Sequence, residues 1–236
     1  MEYVINKAAQ RPSLKGLWEE PAWHEVPVAK LRHFLAQSKS RHPHVEAKAV
    51  YQDDGLFVFF LVFDKYVRCV QTAYQASVCT DSCVEFFVEP RAGRGYFNFE
   101  INGGGTLLLN YCQPPPAVAT YEPGAKAGKN VLADKPVFNP VPWEFGRQVT
   151  IYHSLPPVVD PEIEPDTEWR LEYFIPFKIF EHYLGPLGPI PGQVWRANFY
   201  KCGDKTSHPH WLSWAPLGGE VSFHLPQFFA PIRFSP

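Results

Sequence analysis

Methionine is nearly missing from this 236-residue chain, with Met1 the only one. That leaves no internal methionine as an axial haem ligand, so Met-ligated haem is not expected; a bis-histidine site stays open. Net charge is nearly missing too. Lys and Arg number 22 against 24 Asp and Glu, so there is no electrostatic reason to expect nucleic acid or an anionic membrane as partner. No apolar run approaches the roughly 20 residues of a membrane span. The first residues, MEYVINKAAQRPSLKG, lack the apolar core of a signal peptide, which favours a cytoplasmic over a secreted location. The five cysteines are odd in number and widely spaced, without the spacing of a metal finger. They read as free, mostly buried thiols of a reducing compartment. Cys79 and Cys83 are too far apart on an extended strand to bond unless the chain bends. There is no internal repeat, heptad or low-complexity tract.

The chain is instead rich in aromatics, at 16%, and in proline, at 25 residues, with 45% hydrophobic content. Many rings and many prolines suit an all-β fold with long loops better than a helical bundle. The stretch 81–102, DSCVEFFVEPRAGRGYFNFEIN, anchors this reading. Val84, Phe86 and Val88 alternate with Cys83, Glu85, Phe87 and Glu89. After a Gly-rich turn, Phe97, Phe99 and Ile101 alternate with Tyr96, Asn98, Glu100 and Asn102. Period-two alternation marks strands with one buried face. The result is a hairpin whose other face, bearing carboxylates, amides and a ring, is either solvated surface or the floor of a binding site.

Other segments fill in the architecture. Residues 1–30 read as extended and irregular, and 31–45 as a loop or one helical turn. AKAVYQDDGLFVFFLVFD predicts a second hairpin, and its unbroken apolar strand predicts a central position buried on both faces. Residues 65–80 read as a linker and 113–146 as the longest irregular stretch, of a length usually tied to function or mobility. RQVTIYHSLP reads as a strand and PPVVDPEIEPD as a polar loop. EWRLEYFIPF, VWRANFYKC and WLSWAP read as strands, FKIFEHYLG as one or two helical turns ended by Gly185, and the aromatic tail as packing back on the body. Eight to ten strands at short intervals predict a single antiparallel β-sandwich domain over 1–236, jelly-roll-like, with long loops.

These segments, in their order and spacing, carry a resemblance. DDGLFVFFLVFD, DSCVEFFVEP, YFNFEIN with Gly103 to Thr106, EWRLEYFIPF, WRANFYK, LSWAP and FHLPQFFAPIRF together resemble the family 9 carbohydrate-binding modules in stand-alone form, from about residue 12 to the end. The resemblance implies a β-sandwich that binds a sugar between two Trp rings, without catalysis, and often holds structural calcium. It implies Trp214 as one clamp ring, and Glu85 and Asn102 as hydroxyl partners. The chain departs from the family at the other ring, where Cys79 stands six residues before Glu85. A thiol cannot stack on a pyranose, so either a nearby ring such as Tyr74 substitutes or half the clamp is lost.

Rings bind sugars because the apolar, slightly positive C–H face of a pyranose meets the negative ring face. Trp211, three residues before Trp214, should point the opposite way and reads as structural. Alternation in WRANFYK puts Arg196, Asn198 and Tyr200 on one side and Lys201 on the other, so Arg196, Asn198 and Lys201 are all candidate ligand contacts. Three other readings compete. Glu85 and Glu100 on neighbouring strands could form the carboxylate pair of a glycosidase. The sandwich could survive as an interaction protein without a sugar site. His208 and His210, with His224, could chelate a metal, although a polar loop around Pro209 is the plainer reading. Asp53, Asp54, Asp64 and Asp81 could supply oxygen to calcium, but no loop has EF-hand spacing, so calcium follows from the resemblance alone.

Overall fold

A computed structural model describes residues 1–114, 136–220 and 222–236. The chain opens with β1 (Tyr3–Lys7), β2 (Ala29–Leu31), β3 (His33–Phe34), β4 (His44–Gln52), β5 (Gly55–Asp64) and β6 (Val67–Cys69). The anchoring hairpin follows as β7 (Cys83–Glu89) and β8 (Tyr96–Asn102), then β9 (Leu107–Gln113) and β10 (Val137–Pro140). A short helix, α1 (Trp143–Gly146), leads to β11 (Thr150–His153), β12 (Val159–Ile163) and β13 (Thr167–Pro176). Helix α2 (Phe177–Leu184) precedes β14 (Val194–Cys202), β15 (Trp211–Ser213) and β16 (Ala230–Phe234).

The main sheet runs β10-β9-β8-β7-β14-β16-β1-β4-β5-β13-β11. Strand β1 joins its two halves, pairing in parallel with β16 on one side and β4 on the other. The halves curl over one apolar core, where Phe60 of β5 meets Phe199 of β14 at 5.9 Å and Phe86 of β7 stacks on Phe199 at 4.9 Å. Each such ring contributes roughly 1.5–3 kcal/mol by leaving water. This is the all-β sandwich architecture that the alternation predicts. The apolar strand β5 lies between β4 and β13, as expected of a strand buried on both faces, with only Phe63 substantially exposed. Helix α2 caps the core with Phe180, edge-on to Phe97 at 5.0 Å, and ends at Gly185 with φ +75°.

Several loop expectations are corrected. Residues 1–30 contain β1, residues 31–45 contain β3, the 65–80 linker contains β6, and PPVVDPEIEPD contains β12, which pairs with β6. These strands have two to five residues, too few for alternation to show. Their hydrogen bonds come from distant partners instead. The long irregular stretch 113–146 begins on β9 and ends in β10 and α1; its residues 115–135 lie outside the described residues.

Candidate functional site

The hairpin's polar face is buried, not solvated. Glu85 and Glu100 face each other directly in the β7–β8 register and are 2% and 5% exposed. They floor a cleft of about 170 Å³ lined by Cys79, Glu85, Glu100, Cys202, Asp204, Trp211, Phe223 and His224.

Three segments close this cleft over the sheet. The 203–210 turn docks on the 3-10 turn at 78–80, with Asp204 N donating to Cys79 O at 3.0 Å and Lys205 N to Thr80 O at 3.1 Å. That contact carries Cys79 and Asp204 to one rim. Strand β15 is held through Trp211, whose backbone N–H donates to Ser38 Oγ at 3.0 Å while its carbonyl accepts from Leu35 N at 2.9 Å. The half-buried indole then donates through Nε1 to Asp204 Oδ1 at 2.6 Å. On the far rim, Phe223 stacks on Tyr200 at 4.2 Å, and His224 Nδ1 hydrogen-bonds Tyr96 OH at 2.8 Å.

The cleft is acidic. Burial, then the facing Glu100, pushes the Glu85 carboxyl well above the usual range. Burial raises Glu100 to about 7, opposed by the Asn98 amide that donates to it at 2.7 Å. Burial also raises Asp204, against the stabilising Trp211 hydrogen bond. Two carboxylates so close in a dry site cannot both ionise without cost, so the pair retains a proton towards neutral pH. Burial drives His224 down to about 4, so it is a neutral hydrogen-bonding ring at pH 7.

Of the proposed sugar contacts, Glu85 alone lines this cleft, together with its neighbour Glu100 and with Cys79, Trp211 and His224, which the sequence marks for other reasons. Trp214 lies in the core, 5% exposed, edge-on to Tyr3 at 6.0 Å and Phe199 at 5.8 Å. Its ring offers no open face there, and Trp211 takes the cleft position. Alternation does put the two on opposite sides, but the expected assignment of sides is reversed. Tyr74 lies beside Trp143 at 5.0 Å and donates to Val141 O at 2.7 Å, lining a separate cleft with Trp143, Arg147 and His153.

The remaining candidates are engaged internally. Asn102 donates to Asp81 Oδ2 and Gln71 O, each at 2.9 Å, and accepts from Thr106 N at 2.9 Å. Asn198 ties β14 to the segment after β15, accepting from Ala215 N at 2.8 Å and donating to Ala215 O at 3.1 Å. Arg196 pairs with Glu89 at 3.3 Å and donates to carbonyls of Pro226 and Phe229, which clamps the tail. Lys201 is fully buried, paired with Asp64 at 2.9 Å and 2.6 Å from His210 Nε2.

The metal expectations also meet competing partners. His208 stacks on Tyr66 at 3.7 Å, His210 faces Lys201, and His224 faces Tyr96, so the three imidazoles do not converge. Asp53 pairs with Lys7, Asp54 with Arg11, Asp64 with Lys201 and Asp81 with Arg68. Each of these carboxylates has a protein cation as its partner. All five cysteines are free thiols, as expected.

Sequence reasoning passed over Asp204, Phe223 and Cys202. The one available signal was the polar, turn-rich segment GDKTSHPH between β14 and β15, which returns the chain to the end of the central hairpin.

Comparison with known proteins places the chain in a family. No curated protein matches the chain. Among solved structures, a proposed carbohydrate-binding protein from Bacteroides uniformis is 26% identical, with a TM-score of 0.76 and 99% of each chain covered. A family 9 carbohydrate-binding module from Caldicellulosiruptor kristjanssonii, solved with cellotriose, shares the fold at 13% identity and a TM-score of 0.62, covering 100% of this chain and 94% of that one. A family 9 module from the same organism, solved with glucose, aligns at 14% identity and a TM-score of 0.59, over 98% and 95%. The sequence matches carbohydrate-binding family 9 over residues 22–119 and 131–234, and the chain belongs to that family.

Proposed function

We propose that the chain is a non-catalytic sugar-binding module. It takes one terminal ring of a mono- or oligosaccharide into the cleft over β7 and β8. The observation that carries this reading is the Trp211 indole, fixed by Asp204 at 2.6 Å beside the buried Glu85 and Glu100. A ring already held in place meets the C–H face of a pyranose with little further ordering. Carboxyls and the neutral His224 around it can accept from and donate to hydroxyls. At about 170 Å³ the cleft is smaller than the roughly 300 Å³ at which drug-sized pockets begin, which favours one sugar unit over a chain segment. The Caldicellulosiruptor modules with the same fold were solved with cellotriose and glucose, which supports a glucan-type ligand.

Cys79 in place of a second Trp leaves Trp211 as a one-sided platform, with Phe223 a further ring in the lining. Hydrolysis needs carboxyls flanking the scissile bond, whereas Glu85 and Glu100 sit side by side on one sheet face. That arrangement favours binding over cleavage.

The test is calorimetry and thermal shift against glucose, xylose and their oligomers, with and without calcium. Saturable binding that weakens in Trp211→Ala supports the reading. A flat screen on folded protein, or equal affinity in Trp211→Ala, overturns it. Release of reducing sugar from a glucan or xylan, lost in Glu85→Gln, would instead favour a glycosidase.

A further inference from the structure

At the floor of the sugar cleft, Glu85 shares a cluster with two thiols that stacking and hydroxyl recognition leave unused. Strands β7 and β14 pair so that Cys83 stands directly across from Cys202, with Glu85 two residues along β7 on the same face. One ligand atom from each of Cys83, Glu85 and Cys202 lies within 4.8 Å of the others, and all three residues are buried. Cys202 Sγ is 3.1 Å from Glu85 Oε1. We propose that Cys83, Glu85 and Cys202 bind one thiophilic divalent cation of the zinc class, with a fourth coordination position open to the cleft.

Geometry comes first. Zinc takes sulfur at about 2.3 Å and carboxylate oxygen at about 2.0–2.2 Å in a tetrahedron. Its ligand atoms therefore sit roughly 3.5–3.8 Å apart, so the Cys202–Glu85 pair opens slightly from 3.1 Å and no other separation needs to close by more than about 1 Å. The ligands stand on two hydrogen-bonded strands in the interior of the sheet, so little conformational freedom remains to be lost. Cys202 and Glu85 also line the cleft, which supplies the entry path.

Ligand type selects the ion. Two thiolates and one carboxylate suit zinc and its soft neighbours, while calcium and magnesium require oxygen cages. Charge points the same way. Glu100 and Asp204 face the cluster, and the cation acting on Glu85, Lys201, is committed to Asp64. A thiophilic dication binds as the thiols ionise, and their protons, with any Glu85 proton, pass to solvent.

The site goes beyond sugar binding and does not depend on it. The experiment titrates chelator-treated, phosphine-reduced protein with Co²⁺ and then Zn²⁺, without sugar. We expect one Co²⁺ per chain, a thiolate-to-cobalt charge-transfer band, tetrahedral visible bands, and displacement by one equivalent of Zn²⁺. Cys202→Ser and Cys83→Ser should each reduce the band and weaken affinity by more than the roughly 10–100-fold typical of outer-shell changes. Cys69→Ser and Cys112→Ser should leave both unchanged. If the ligand variants fail to fold, the wild-type protein still decides the matter, since Zn²⁺ should release two to three protons and shield two thiols from alkylation. Absence of the charge-transfer band, a full-strength band in both Cys83→Ser and Cys202→Ser, or zinc binding without proton release or thiol protection overturns the proposal. Sugar affinity measured in chelator stands or falls separately.

Discussion

The indole of Trp211 and the carboxylate of Asp204 form a 2.6 Å hydrogen bond that spans the rim of the cleft. One residue starts β15 and the other sits in the turn after β14, so the bond sets the angle of the ring over Glu85 and Glu100. Asp204→Ala should therefore reduce sugar affinity although its own contact is with a tryptophan. An indole free to rotate loses its preorganisation. Calorimetry should show a several-fold weaker Kd with little change in Tm, and an unchanged Kd would show that the ring needs no support.

The two neighbouring tryptophans should separate cleanly. Trp211→Ala removes the platform and should lower sugar affinity by about tenfold or more, using about 1.4 kcal/mol per factor of ten. Trp214→Ala instead opens a cavity between Tyr3 and Phe199 and should destabilise the fold by about 3–5 kcal/mol. Denaturant unfolding beside calorimetry distinguishes the two outcomes. Binding lost in folded Trp214→Ala but kept in Trp211→Ala would reverse the assignment.

Asn198 offers a parallel contrast. Its amide joins β14 to Ala215 through two hydrogen bonds in a dry site. Asn198→Ala should cost about 1–3 kcal/mol by stranding those backbone groups, while sugar affinity at a temperature where the variant is folded stays near wild type.

Lys201 and Asp64 form a fully buried ion pair. Lys201→Met leaves Asp64 uncompensated and should destabilise the protein by about 3–5 kcal/mol, whereas the double variant Lys201→Met, Asp64→Leu should recover much of that loss. A double-mutant cycle by urea unfolding measures the coupling, and equal losses in single and double variants would refute it.

His210 should give stability a pH dependence. It faces Lys201 Nζ at 2.6 Å, with Asp64 beyond it. Burial, then Lys201, lowers its pKa from 6.5 to about 4. A depressed folded pKa means that the unfolded chain takes up the proton first. The stability this group contributes is full above pH 6.5 and lost as pH falls towards 4, on the order of 3 kcal/mol. His210→Gln should flatten that part of a Tm-against-pH curve, and a slope identical to wild type would place the dependence elsewhere.

Much of this is legible in the sequence. The 81–102 hairpin, the two-sided burial of β5 and the Gly185 stop on α2 all rest on local rules, namely alternation, an unbroken apolar run and a left-handed glycine. Glu85 could be placed because alternation assigns a residue to a face whatever lies across from it. Strands such as β3 and β6 are harder to read, because two or three residues contain no period.

What the sequence by itself determined is which side chains share a face: Glu85 with Cys83 on β7, Trp211 opposed to Trp214. Only the tertiary structure decided which face is core and which is cleft. That choice depends on the 203–210 turn docking against Cys79 and Thr80, and on the tail bringing Phe223 over Tyr200. Both are contacts between residues far apart in the chain. They cover a polar sheet face that would otherwise be solvated, and so turn Glu85, Glu100 and Cys202 from surface groups into a buried site.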